Sequence, residues 1–308
     1  MSKKSIFVSL STFCENDKEP LELLKNSTLP YTIHSTGKRI TRDEILRDAK
    51  GHSVIIAGVE KYDEDILSQL PDLRCIVRCG VGIDNIDSAA SSKRNIAILN
   101  TPDIPTQAVA ELAFTLYLAL SRNIRPQSNR MGQKKWERVE AHLLSGKILG
   151  IIGYGRIGRK IAELCKPFNL RILVNDPFLT KETVNDSNVE IVDKATLLAH
   201  SDIISIHASG SGTVILDRID FESIKQGALI VNLSRGGMVK EDALLEALAS
   251  KKIAGAGLDV FEQEPYSGPF CDFENVILTP HSATLTIETR AAMELQCVEK
   301  ALHFCSQN

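Results

Sequence analysis

No stretch of this chain approaches the roughly 18 consecutive apolar residues a helix needs to cross a bilayer. The most apolar segment, Gln107 to Leu120, is too short and reads as a buried helix. The apolar start at Ile6 to Leu10 is too short for the core of a signal peptide, so a cytoplasmic protein is expected. Basic charge is not in excess either. The 36 Lys and Arg against 39 Asp and Glu leave a formal charge of -3, which gives no electrostatic footprint for nucleic acid or an anionic membrane. Zinc spacing is missing. Of seven scattered cysteines, Cys75 and Cys79 are the closest pair and no second pair joins them, so reduced thiols in or near cores are expected, and no metal. Internal repeats and low-complexity tracts are absent. Tryptophan occurs once, at Trp136, in a polar stretch from 122 to 145 that reads as an exposed arm. Its ring packs either against a second subunit or on its own domain.

What remains is an ordinary globular composition, 43% hydrophobic and 24% charged over 308 residues, enough for about two domains. Short apolar runs alternate with helical patterns through the first hundred residues: Ile6–Leu10, Tyr31–Ile33, Val54–Ala57, Arg74–Val77 and Ile96–Leu99. Thr41-Arg-Asp-Glu44 has the form of a capping box opening a helix. Such runs predict a parallel sheet covered on both faces. No glycine-rich phosphate turn follows the first strand, so this half is the poorer dinucleotide candidate. Its loop Arg78-Cys-Gly80-Val81-Gly82-Ile-Asp84 offers bare backbone N–H groups to a small anion, with Arg78 adding charge. The same loop also reads as a plain strand-to-helix turn.

The second half is built on Ile148–Ile152, Gly153-x-Gly155-x-x-Gly158 and an amphipathic continuation to Cys165, that is, strand, glycine turn and helix. The first glycine allows the turn, the second lets backbone approach a pyrophosphate, and the third lets helix and strand pack. The helix end, at Arg156 and Ile157, favours an anion. The next strand ends at Asp176, 18 residues after Gly158, where a carboxylate bonds ribose hydroxyls and repels a 2′-phosphate, so NAD is expected over NADP. Pro167 is expected to shorten the helix.

Ligands of open parallel sheets sit beyond the carboxyl ends of the strands. Arg235, Glu264, His281 and His207 all lie just past predicted strand ends. Removing a hydroxyl proton as a hydride leaves calls for a base, and histidine, titrating near about 6.5, suits it. A carboxylate on the other ring nitrogen fixes the tautomer, and an arginine can hold a substrate carboxylate. Spacing alone does not bring the three together, and His207 reads as structural or merely cofactor-adjacent.

Several segments run in order along nearly the whole chain: Arg78–Asp87, Asn100-Thr-Pro102, Gly150–Gly158, Asn175-Asp-Pro177, Asp202–His207, Asn232–Gly237, Leu258–Pro265 and Thr279–Ala283. By them the chain resembles the D-isomer-specific 2-hydroxyacid dehydrogenases, most of all their D-3-phosphoglycerate dehydrogenase branch. The resemblance implies an α/β fold of two doubly wound parallel-sheet domains. These are a flavodoxin-like substrate domain, 1–100 plus 285–308, and a Rossmann NAD domain, 101–284. It implies His281 as acid–base group, Glu264 as its partner and Arg235 as substrate clamp. Gly153, Gly155, Arg156, Ile157, Gly158, Asp176, His207 and Asp259 fall to the cofactor, with Asp259 facing the nicotinamide amide, and Arg78, Gly80, Val81 and Gly82 to the substrate. It further implies a homodimer and a D-2-hydroxy acid substrate: 3-phosphoglycerate, which belongs to serine biosynthesis, or the partners of glyoxylate and hydroxypyruvate reduction. A corepressor-like NAD sensor is the alternative outside enzymes. Pro105, Ala108, Ala208 and Ser209 depart from the usual family residues, and no regulatory C-terminal domain is expected.

Overall fold

The computed structural model describes residues 4–34, 36–180, 188–210 and 212–307. The chain divides into two compact units, Met1–Pro105 with Leu285–Asn308, and Thr106–Thr284. Residue 101 belongs with the first unit because Thr101 bonds the Gly80 loop through both its amide and its hydroxyl.

In the first unit the strands are β1 (Ile6–Val8), β2 (Tyr31–Ile33), β3 (Val54–Ala57), β4 (Cys75–Arg78) and β5 (Ala97–Asn100). They pair in parallel in the order β2-β1-β3-β4-β5. This is the flavodoxin-like order, with its topological switch between β1 and β3. The three inner strands β1, β3 and β4 are short, rich in β-branched residues and buried on both faces, which suits a parallel sheet covered by helices. Alternation decides which residue meets which helix. Phe7, Ile55 and Ile76 pack with Ile45 of α2 (Arg42–Asp48), Ile66 of α3 (Glu64–Ser68) and Ala90 of α4 (Ser88–Lys93). Ile6, Val8, Val54, Ile56 and Val77 face the other way, against Leu24 of α1 (Glu19–Asn26) and Met293, Cys297, Val298 and Ala301 of the last helix (Ile287–Gln307). Thr41 and Glu44 form the expected capping box. Helix α4 was not legible from periodicity: Ser-Ala-Ala-Ser-Ser-Lys has no apolar stripe, and it is started instead by the Asp87 side chain accepting from Ala90 N at 2.8 Å.

The second unit opens with α5 (Thr106–Ser121) and α6 (Ile124–Gly132). Its strands are β6 (Ile148–Ile152), β7 (Arg171–Asn175), β8 (Val189–Ile191), β9 (Ile203–Ile206), β10 (Ala228–Asn232), β11 (Ile253–Leu258) and β12 (Val276–Leu278). All pair in parallel, in the order β12-β11-β10-β9-β6-β7-β8, so the switch falls between β6 and β9. The first six of these strands in chain order reproduce the dinucleotide-binding arrangement, and β12 extends it. Helices α7 (Arg156–Cys165) and α5 cover one face through Ile161, Leu116 and Tyr117, and α8 (Lys194–His200), α9 (Arg218–Ser223) and α10 (Glu241–Ala249) the other through Leu197, Phe221 and Leu244. Helix α7 ends at Cys165, and Pro167 lies in a following 3-10 turn. The 122–145 stretch differs from the expected arm in carrying α6. Trp136, 79% exposed, does not pack on its own unit.

Candidate active site

The glycine turn joins β6 to α7, and the three glycines do different things. A Cβ at Gly153 (φ +92°) would stand 2.5 Å from Ala208 N and 2.6 Å from His207 C, so this turn presses on the backbone leaving β9. A Cβ at Gly158 would stand 2.5 Å from Gly153 O, so helix and turn touch. A Cβ at Gly155 would meet nothing within 4 Å. Gly155 is also the N-cap of α7 and supplies no side-chain cap to its first turn. The two outer glycines are therefore spent on packing, while the middle one leaves space above a positive helix end. Asp176, just past β7, holds the turn: its Oδ2 accepts from Tyr154 N at 2.8 Å and its Oδ1 from Phe178 N at 2.9 Å. Glycine cradle, open helix end and half-exposed carboxylate together fit a dinucleotide lacking a 2′-phosphate.

His207 follows β9. Its Nε2 lies 2.7 Å from Ser205 Oγ, which lies 2.5 Å from the Tyr117 hydroxyl, and both of those residues are fully buried. Its Nδ1 is buried with no partner among the described residues. Burial pushes the imidazole down to about 3, so it is uncharged at neutral pH. Sequence reading found His207 but not Tyr117 or Ser205, because a hydroxyl in an apolar strand or helix gives no periodic signal.

Three loops leave the adjacent strands β10, β11 and β12 at their carboxyl ends. The first carries Arg235 and is shaped by Asn232, which takes Ser234 N at 3.0 Å and donates to Arg235 O at 2.8 Å. Its Gly236 abuts the second loop, since a Cβ there would stand 1.8 Å from Phe261 C. The second carries Glu264, whose Oε1 accepts from Phe261 N at 3.1 Å. The third carries His281, whose Nδ1 lies 2.8 Å from Glu264 Oε2. Strand adjacency thus brings His281 and Glu264 into contact and places the Arg235 loop against the Glu264 loop. His281 has φ +51°, a left-handed conformation that few non-glycine residues adopt.

Asp259, wholly buried at the end of β11, sustains that conformation. Its Oδ1 accepts from the Thr279 hydroxyl at 2.6 Å and Ser282 N at 2.8 Å, its Oδ2 from Ala283 N at 3.0 Å, and its carbonyl from His281 N at 2.9 Å. The resemblance implies that Asp259 faces the cofactor amide; each of its oxygens also accepts from the histidine loop.

In the first unit, Gly80 (φ +145°) donates its amide to Thr101 Oγ1 at 2.8 Å, and Asn100 Nδ2 donates to Val81 O at 2.7 Å. The amides of Val81 and Gly82 donate to no described residue. Arg78 folds back over its own loop, with Nη1 against Cys79 O, and lies where a Cβ on Gly80 would be. The open donors of this loop are therefore backbone amides. No group of three or more metal-ligating side chains occurs among the described residues, and none of their helices is long and apolar enough to cross a membrane.

The sequence model of a family described as "D-isomer specific 2-hydroxyacid dehydrogenase, NAD binding domain" matches residues 114–283. The chain is 37% identical over 281 residues to the D-3-phosphoglycerate dehydrogenase of Archaeoglobus fulgidus, a match covering 89% of this chain and 53% of that protein. It is 35% identical over 293 residues to the hydroxypyruvate reductase of Thermotoga maritima, covering 92% and 94%. Among solved structures, the D-lactate dehydrogenase of Aquifex aeolicus with NAD and lactic acid superposes with a TM-score of 0.85 at 26% identity, covering 99% of this chain and 97% of that one.

Two outcomes follow from this geometry. Gly158→Ala should destabilise the protein by about 1–3 kcal/mol in denaturant titration, because the new methyl meets backbone. Gly155→Val, which also replaces a favourable N-cap residue, should weaken NADH binding at least ~10-fold by fluorescence titration of the folded protein; unchanged binding would remove the turn from the cofactor site. The His207 shift from 6.5 to about 3 also has a sign. The folded state resists the proton that the unfolded chain takes up, so stability is full above about 6.5 and falls with pH down to about 3. His207→Gln should flatten the loss of melting temperature across that window.

Proposed function

The chain belongs to the D-isomer specific 2-hydroxyacid dehydrogenases, and from that premise we propose that it moves a hydride between a D-2-hydroxy acid and its 2-oxo acid, with NAD as the redox partner. The observation that carries this reading is the His281–Glu264 hydrogen bond beside the Arg235 loop, at the carboxyl edge of the sheet that holds the glycine turn.

The roles follow from the bonds. Glu264, steadied by Phe261 N, takes the Nδ1 side of His281 and leaves Nε2 to exchange a proton with the substrate oxygen. Asp259 holds the histidine loop and is a positioning residue. Arg235 offers a planar cation to the substrate's carboxylate and carbonyl. Within the first unit, the open amides of Val81 and Gly82 are donors suited to a small carboxylate. NAD, held by Gly155, the α7 end and Asp176, supplies the hydride acceptor or donor. Six buried and one exposed thiol, all free, support a reducing compartment and hence the cytoplasm. Trp136 and Leu143, 79% and 75% exposed on one segment, support a second copy of the chain covering them as a homodimer.

NADH consumption followed at 340 nm against glyoxylate, hydroxypyruvate, pyruvate and 3-phosphohydroxypyruvate should show turnover with at least one acid. If NADH binds tightly and none is reduced, an NAD-sensing binding protein replaces the enzyme. His281→Ala should lower kcat by about 10²–10⁴ while NADH affinity stays within ~3-fold; undiminished turnover would sink the mechanism.

A further inference from the structure

Glu60 is a carboxylate set into the carboxyl edge of the first sheet, only 5% exposed. Its Oε1 accepts from the Gly58 amide at 2.9 Å and the Tyr62 hydroxyl at 3.0 Å, and the Ser9 hydroxyl lies against the same oxygen. Its Oε2 lies over Gly58, where a Cβ would come within 2.8 Å of it. No described residue donates to Oε2, and it is not among the fully buried unpartnered atoms. No described cation pairs with Glu60. Arg39 donates to Val59 O at 2.8 Å, and Lys61 faces Asp63 at 3.9 Å. One oxygen is thus locked and the other is open.

The place of this oxygen matters. Ser9 follows β1 and Gly58 follows β3, so the cluster stands at the switch point of the sheet, where ligands of such folds bind. The loop after β4, the strand next to β3, carries the open amides of Val81 and Gly82, and neighbouring strands lie about 4.8 Å apart. Asn85 ties the two loops together, donating to Gly58 O at 3.2 Å and Glu60 O at 2.6 Å while its carbonyl takes Tyr62 N at 2.7 Å. One strand spacing is the length of a three-carbon acid held at one end by its carboxylate. Val59 and Val81, 51% and 41% exposed, are apolar side chains on the same two loops.

We propose that Glu60 is a specificity-determining residue. It reads the end of the substrate remote from the carboxylate, accepts a hydrogen bond from a hydroxyl there through Oε2, and turns a phosphate away. The substrate class is then a short, unphosphorylated hydroxy-2-oxo acid. The proposal rests on the 2-oxo acid reading above. A phosphate monoester carries about −1.5 to −2 at neutral pH, and beside a carboxylate whose neighbouring cations, Arg39 and Lys61, are turned to Val59 O and Asp63, it meets repulsion.

The experiment compares kcat/KM for hydroxypyruvate, 3-phosphohydroxypyruvate and glyoxylate, which has no side chain to read. The wild-type protein should prefer hydroxypyruvate over its phosphate ester by at least ~10-fold. Glu60→Gln should cut that preference at least ~10-fold while glyoxylate turnover changes less than ~3-fold. Val59→Lys, at an exposed site on the same loop, should shift the ratio the same way and does not depend on the cluster refolding around an amide. A wild-type preference for the phosphate ester, or a ratio unmoved in both variants while glyoxylate is still reduced, overturns the role of Glu60. No reduction of any acid, glyoxylate included, is a different result and overturns the 2-oxo acid reading itself.

Discussion

The site hangs on one buried charge. Asp259 has no contact with solvent, and a carboxylate in that position is tolerable only if its oxygens are filled. They are filled by the loop that follows β12, through Thr279, Ser282 and Ala283. Acid and loop therefore stand or fall together. The loop could not hold His281 in a left-handed conformation without the acid, and the acid could not stay buried without the loop. Glu264 then needs only one further bond, from Phe261 N, to meet the imidazole. The His281–Glu264 pair is half exposed and is held from outside itself. It borrows its geometry from a group in the core.

Parallel pairing supplies the rest. Strands β10, β11 and β12 are neighbours in the sheet and run the same way, so their three following loops must open on one edge. Gly236 lets two of those loops touch backbone to backbone. The same rule puts the glycine turn after β6 beside His207 after β9, across the switch point, and in the other unit puts the Gly58 and Gly80 loops side by side. Each functional position is a strand end, and each neighbour relation is a line of the strand order.

Much of this was legible in the sequence, for identifiable reasons. Buried parallel strands announce themselves as short apolar runs, and nearly every strand was placed within a residue or two. Gly153-x-Gly155-x-x-Gly158 read correctly as strand, turn and helix because each glycine answers a local steric demand. Helices α4 and α9 were missed, since each is six residues long and owes its start to a capping aspartate more than to a stripe. Arg235, Glu264 and His281 were found as strand-end residues, but their meeting depends on strand order, which no local pattern encodes. Glu60, Tyr117 and Ser205 gave no signal at all. A buried polar residue looks like a surface one until its partners, dozens of positions away, are known.

The last helix, α11 (Ile287–Gln307), carries a consequence for how the protein comes into being. It supplies Met293, Cys297, Val298 and Ala301 to one face of a sheet whose strands lie within the first hundred residues. On the ribosome that sheet is synthesised first and roofed last. Ile6, Val8, Val54, Ile56 and Val77 must wait, with only α1 on that flank, while the whole of the second unit is made. The middle of the chain can complete its core during translation, whereas the beginning depends on the end. A ribosome that stalls before residue 287 would release a finished second unit tethered to an apolar sheet face, which is the kind of surface that chaperones hold and that aggregates when they do not.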